Sequence, residues 1–164
     1  MSRKLIEMPK TENPLLLSLY GHYVEDVLSN TSSIEEANQA LRDLGKSLGQ
    51  QIYLNTEIVE KTKENITTRE DVAKLIEVIY KVLYDKKPTE VDMKTARGSV
   101  RVTDNDCVWC QEVNLEGMRG FGYCEVFSGI LESILEFKGV EATVFQEMSR
   151  ATGADICVWN VRLV

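Results

Sequence analysis

Hydrophobic residues recur at helical spacing in three segments of the N-terminal half. The first segment follows Asn13-Pro14, a pair that favours a helix start because Asn caps free amide groups and Pro fits the first turn. Its apolar residues occupy most of the helix circumference: Leu15, Leu16, Leu17, Leu19, Tyr20, Tyr23, Val24, Val27 and Leu28. A helix that is apolar on so many sides needs cover on two of them. The pattern therefore predicts that a second protein chain covers part of this helix.

Capping signals mark the next two helices. Ser33 and Glu36 have capping-box spacing, as do Thr68 and Asp71, and each pair precedes an apolar stripe. The second helix also carries Gly45 and Gly49 on one side. Each glycine lowers helix stability by about 1 kcal/mol relative to alanine, so the pair predicts that another backbone approaches closely there.

Strand-like alternation is confined to the C-terminal half. Four segments are predicted strands: 98–103, 107–113, 140–147 and 156–164. A fourth helix is predicted over 120–138 and a loop over 88–96, while residues 1–12 lack periodicity and are predicted to be a flexible tail. The order ααα-ββ-α-ββ predicts a single α+β domain over residues 13–164, in which helices are followed by a small antiparallel sheet.

Composition narrows the classes of function. A chain of 164 residues with 43% apolar content is expected to be one globular domain. Its net charge of −7 disfavours nucleic-acid binding and a purely electrostatic hold on anionic lipid. Since no run has the length of a membrane span and no signal peptide is evident, a soluble, cytoplasmic protein is expected.

The four cysteines are Cys107, Cys110, Cys124 and Cys157. The first two have the spacing of half a zinc site, which the other two would complete. If residues 107–113 form a strand, however, side chains three apart face opposite ways. Buried, reduced thiols are therefore the favoured interpretation and zinc is the alternative, which zinc analysis of the purified protein would decide.

No residue set supports catalysis. The lone histidine, His22, has Glu25 and Asp26 nearby but no accompanying nucleophile. The glycine-rich stretch 117–122 lacks the Lys-Ser/Thr pair of a phosphate-binding loop. A non-enzymatic protein is expected.

Several strings resemble the core subunits of the transport protein particle (TRAPP), within a superfamily shared with 4-vinyl-reductase ligand-binding domains. They cover nearly the whole chain beyond residue 15: Leu19-Tyr20-Gly21, Tyr23-Val24-Glu25-Asp26, Glu36-Ala37-Asn38-Gln39-Ala40-Leu41, Leu44-Gly45-Lys46-Ser47-Leu48-Gly49, Thr68-Arg69-Glu70-Asp71-Val72 and 122–135. The resemblance implies a non-enzymatic scaffold of a vesicle-tethering complex that acts on a small GTPase, with peripheral membrane contact.

It also implies dimerisation through the first helices, as a homodimer or as a heterodimer with a paralogous subunit. The expected interface residues are Leu16, Leu19, Tyr20, Tyr23, Val27, Leu41, Gly45, Leu48 and Gly49. One subunit type of the family holds a fatty-acyl chain in an internal channel, which here would be lined by Ile76, Ile79, Leu83, Phe127, Ile130 and Ile134. The acylated cysteine of that type would fall near Asn65, where this chain has none.

The 4-vinyl-reductase branch is resembled near the C-terminus, through Glu147, Gly153-Ala154-Asp155 and Cys157. That branch implies binding of small apolar molecules. The alternative function is therefore a sensor of small hydrocarbon or lipid molecules, in an apolar pocket bounded by the third and fourth predicted helices, or of zinc, with the four cysteines as its ligands. A bound acyl mass or zinc would favour the sensor, and an empty dimer would favour the scaffold.

Overall fold

The computed structural model describes residues 14–62, 64–94, 96–111, 113–115 and 117–164, so the predicted tail lies outside it. Five helices are found there: α1 (Pro14–Asn30), α2 (Ile34–Asn55), α3 (Ile58–Lys61), α4 (Arg69–Tyr84) and α5 (Glu125–Phe137). The strands are β1 (Glu90–Asp92), β2 (Ser99–Asp104), β3 (Ala142–Met148) and β4 (Cys157–Leu163). Two 3-10 turns lie at Val108–Cys110 and Arg150–Thr152. None of the described helices is long and apolar enough to cross a membrane.

The four strands form one antiparallel sheet in the order β1-β2-β4-β3. This arrangement confirms the predicted fold class of helices with a small antiparallel sheet. Two local predictions were wrong. The segment 107–113 contains the Val108–Cys110 turn instead of a strand. The sheet instead includes β1, which lies inside the predicted loop 88–96.

The helix boundaries follow from their caps. Ser33 Oγ accepts a hydrogen bond from the Glu36 N–H, and Thr68 and Asp71 form a reciprocal capping box at the start of α4. The last helix, predicted from residue 120, begins only at Glu125. Phe121 and Tyr123 are buried in the irregular segment that precedes α5.

Helices α2 and α5 cross with their backbones in contact. A Cβ atom added to Gly45 would lie 1.9 Å from the Val126 carbonyl oxygen, and one added to Gly129 would lie 2.0 Å from the Arg42 carbonyl oxygen. The close backbone approach predicted for Gly45 and Gly49 is therefore confirmed. The approaching backbone belongs to the same chain, which corrects the expectation that these glycines face a partner.

Glutamates of α5 bind the outer edge of the sheet. Glu132 Oε1 accepts a hydrogen bond from the Val144 N–H at 2.8 Å, and Glu125 Oε1 accepts one from the Gln146 N–H at 2.9 Å. Both amides belong to β3, the last strand in the sheet order. Glu132 also pairs with Lys46 Nζ at 3.1 Å, so these contacts join α2, α5 and β3.

Candidate metal centre and docking face

Several apolar side chains of helix α1 are exposed. Leu15, Leu16 and Leu19 are 67%, 45% and 59% exposed, and Tyr23 and Leu48 are also exposed. We call these five residues the docking face. Exposed leucines at spacings of three and four residues lie on one side of a helix, so they form a patch instead of isolated contacts.

The remaining residues of the predicted interface are buried within the chain. Tyr20, Val27 and Leu41 belong to the hydrophobic core, and the Tyr20 hydroxyl donates a hydrogen bond to the Tyr123 carbonyl oxygen. Gly45 is enclosed by α5. The surface available to a partner is therefore narrower than the sequence predicted, and it lies mainly on α1.

An apolar pocket of about 210 Å³ adjoins the docking face. Its lining residues include the exposed Leu16 and Leu48 together with Leu83, Trp109 and Ile130. Ligand pockets for drug-sized molecules usually measure about 300–1,000 Å³, so this one matches a single side chain better than a long acyl chain.

The six residues of the predicted acyl channel differ in where the structure places them. Leu83 and Ile130 line the pocket beside the docking face. The other four predicted channel residues are fully buried and belong to the core: Ile76, Ile79, Phe127 and Ile134.

All four cysteines of the chain converge on one buried point. Their Sγ atoms all lie within 4.8 Å of one another. Cys110 Sγ is central, at 2.9 Å from Cys124 Sγ and 3.4 Å from Cys157 Sγ, and Cys107 Sγ lies 3.4 Å from Cys124 Sγ. Three separate segments supply them: the Val108–Cys110 turn with its preceding residue, the start of α5 and the start of β4.

The local backbone explains how Cys107 and Cys110 meet. The Cys110 N–H donates to the Cys107 carbonyl oxygen at 3.3 Å, which closes a tight turn and brings residues three apart to one side. A second turn, Arg150–Thr152, lies across the cluster, and the Arg150 N–H donates to Cys157 Sγ at 3.4 Å. The Val108–Cys110 turn is the kind of tight turn that a metal-binding Cys-X-X-Cys pair needs, and the predicted strand would have lacked it.

The thiols differ in their acidity. Hydrogen bonds from Cys107, and then from Cys124 and Cys157, lower the pKa of Cys110 below its ordinary value. Burial is the main cause that raises the pKa values of Cys107 and Cys124. Hydrogen bonds between the thiols and their burial thus act on these pKa values in opposite directions.

Trp109 connects the cysteine cluster to the pocket. It lies between Cys107 and Cys110 in the chain and lines the pocket beside Leu16. Its Nε1–H donates to the Tyr84 hydroxyl at 2.8 Å, and its ring packs edge-on to Tyr20 at a centroid distance of 4.9 Å. The conformation of the turn therefore sets one wall of the pocket.

Comparisons with protein families and with solved structures both find TRAPP components. The family model described as "Transport protein particle (TRAPP) component" matches residues 16–163. Among solved structures, trafficking protein particle complex subunit 3 from Naegleria fowleri, covalently bound to palmitic acid, superposes with a TM-score of 0.80. The two chains are 18% identical, and the match covers 92% of this chain and 93% of that one. No curated protein sequence matches the chain significantly.

Proposed function

The chain belongs to the transport protein particle (TRAPP) component family, and we propose that it is a non-enzymatic subunit that docks a second subunit of the same fold on the α1 docking face. The observation that carries this proposal is the exposed leucine stripe of α1 beside an apolar pocket. Covering one exposed leucine contributes of order 1–2 kcal/mol, so the leucines of both copies together offset part of the cost of association.

We commit to a second copy of this chain as the occupant. A twofold interface places the same patch on both sides, and an apolar stripe facing its own copy brings no like charges together. The pocket lined by Leu16 and Leu48, about 210 Å³, has room for an aliphatic side chain, so a leucine of one copy has a receptor on the other. A stable interface of this type buries well above about 1,000 Å² in total.

Light scattering coupled to size-exclusion chromatography tests the proposal. The wild-type chain should be a dimer at micromolar concentration, and Leu19→Lys should convert it to a folded monomer with an unchanged circular dichroism spectrum. Leu54→Lys is the matched control, because Leu54 is 67% exposed on α2 and lies outside the docking face and the pocket. It should remain a dimer.

A monomeric wild-type chain would refute the homodimer. If that monomer pairs with a different TRAPP-family chain on co-expression, and Leu19→Lys abolishes the pairing, the surface stands but its occupant is a paralogue. Contact with a small GTPase and with a membrane surface stay predictions from the family.

We further propose that the pocket receives a partner side chain instead of a covalent acyl group. All four cysteines are buried in one cluster, and Asn65 stands where the acylated cysteine was expected. Native mass spectrometry should show a dimer without acyl mass. A bound hydrocarbon or lipid would instead favour the alternative function, a small-molecule sensor.

A further inference from the structure

We propose that Cys107, Cys110, Cys124 and Cys157 bind one Zn²⁺ ion in a closed structural site. The proposal stands on the cysteine cluster alone and does not depend on dimerisation, since the four sulfurs belong to a single chain. It assigns to the cysteines a chemical role that the docking function does not use.

The distances fit a tetrahedral thiolate site. Zinc binds cysteine sulfur at about 2.3 Å, which places the four sulfurs of a regular tetrahedron about 3.8 Å apart. The three shortest separations are 2.9, 3.4 and 3.4 Å, and every pair lies within 4.8 Å. Adjustments of less than about 1 Å therefore convert the cluster into four equivalent ligands around one ion.

Other sulfur chemistry fits less well. A disulfide joins two sulfurs at about 2.05 Å and leaves distinct pairs, whereas Cys110 here contacts both Cys124 and Cys157. In a multi-iron cluster the four cysteines are divided among two or more metal atoms, which holds some of the sulfurs further apart than a shared ion does. Four sulfurs around one point fit a single tetrahedral ion, and zinc is the commonest ion bound by four cysteine thiolates.

The surroundings are those of a structural site. All four sulfurs come from buried cysteines, and four protein ligands fill the coordination sphere, so no position is left for substrate or a reactive water. The Arg150 N–H, which donates to Cys157 Sγ, would disperse part of the thiolate charge.

The site would join three distant segments of the chain. It ties the turn after β2 to the starts of α5 and β4, and it fixes Trp109 in the wall of the docking pocket. Zinc loss should therefore change the environment of Trp109 as well as stability, because the turn that holds this ring loses its anchor.

Metal analysis of the full chain, purified without an affinity tag or chelators, is the primary test. We expect one zinc per chain by plasma mass spectrometry. Titration with a mercurial should release that zinc as the four thiols react, which needs no folded variant. Chains that hold no metal and four reactive thiols, or two disulfides, would refute the proposal, and stoichiometric iron would refute the choice of zinc.

Variants provide the second test. Cys110→Ser should lose the zinc equivalent, whereas Ser149→Ala should keep it, although Ser149 Oγ lies only 3.8 Å from Cys110 Sγ. The wild-type chain reconstituted with Co²⁺ should show sulfur-to-metal charge-transfer absorption. Full zinc content in soluble Cys110→Ser, or absence of that absorption, would contradict a four-sulfur site.

Discussion

The crossing of α2 and α5 makes a sharp prediction about stability. In Gly45→Ala the new Cβ would lie 1.9 Å from the Val126 carbonyl oxygen, whereas ordinary contacts begin at 3.4 Å. The helices would have to separate locally by about 1.5 Å at a place where backbone meets backbone. No side-chain rotation relieves this clash, because neither atom belongs to a flexible side chain.

The expected magnitude follows from two opposing terms. Overpacking a close-packed site costs about 1–3 kcal/mol and sometimes more, and a backbone clash belongs at the upper end of that range. Alanine returns about 1 kcal/mol through its higher helix propensity. We therefore expect Gly45→Ala to lower the free energy of unfolding by about 2 kcal/mol or more, with Gly129→Ala similar.

Gly21→Ala is the matched control. Gly21 is also helical, but its added Cβ would meet only the Tyr123 hydroxyl oxygen, at 3.5 Å. This substitution should stabilise the protein by about 0.5–1 kcal/mol. Urea unfolding at one fixed protein concentration measures both variants. If Gly45→Ala is as stable as Gly21→Ala, the proposed backbone contact between α2 and α5 is wrong.

Three further predictions concern single side chains. Lys86→Met should lower the free energy of unfolding in urea by about 1–3 kcal/mol, because it removes the ammonium group 3.0 Å from the buried Asp104 carboxylate. Lys87→Met is the control: this lysine is exposed, so its substitution should change the free energy of unfolding by less than about 0.5 kcal/mol. Thr68→Ala should cost about 1 kcal/mol by the same assay through loss of the α4 cap, and an unchanged midpoint would contradict that role. Burial raises the pKa of Glu125, so the folded state holds this proton more tightly than the unfolded state. The resulting stabilisation is present at acid pH and is lost as pH rises through the folded pKa. The stability of the wild type relative to Glu125→Gln should therefore increase as pH falls from 7 towards about 5, and the reverse trend would refute the assignment.

Local signals predicted the helices well because a cap and an apolar stripe span the same few residues of sequence as the helix they specify. The capping box at Thr68 and the apolar stripe after it fix α4 within a few residues, whatever packs against them. The segment 107–113 differs. Its apolar run, 107–110, is typical of a buried strand, but Trp109 packs there against Tyr20 of α1 and donates a hydrogen bond to Tyr84 of α4. The pattern therefore indicated burial and not backbone conformation.

The cysteine cluster shows why the candidate site was harder to predict than the fold. The sequence contained all four residues, yet their convergence depends on the Val108–Cys110 turn and on the packing of α5 against β4. The glycines of α2 show a related limit. Their spacing predicted a close backbone correctly, but a pattern cannot tell whether that backbone belongs to the same chain.

The glutamate contacts along β3 bear on how this subunit resists fibre formation. Two outward amides of that strand, at Val144 and Gln146, already donate to carboxylates of α5, so an incoming peptide finds those donors taken. At the opposite border, β1 spans only three residues and carries Glu90 and Asp92. Both borders thus discourage β-augmentation, so a second copy is less able to add edge to edge to this sheet.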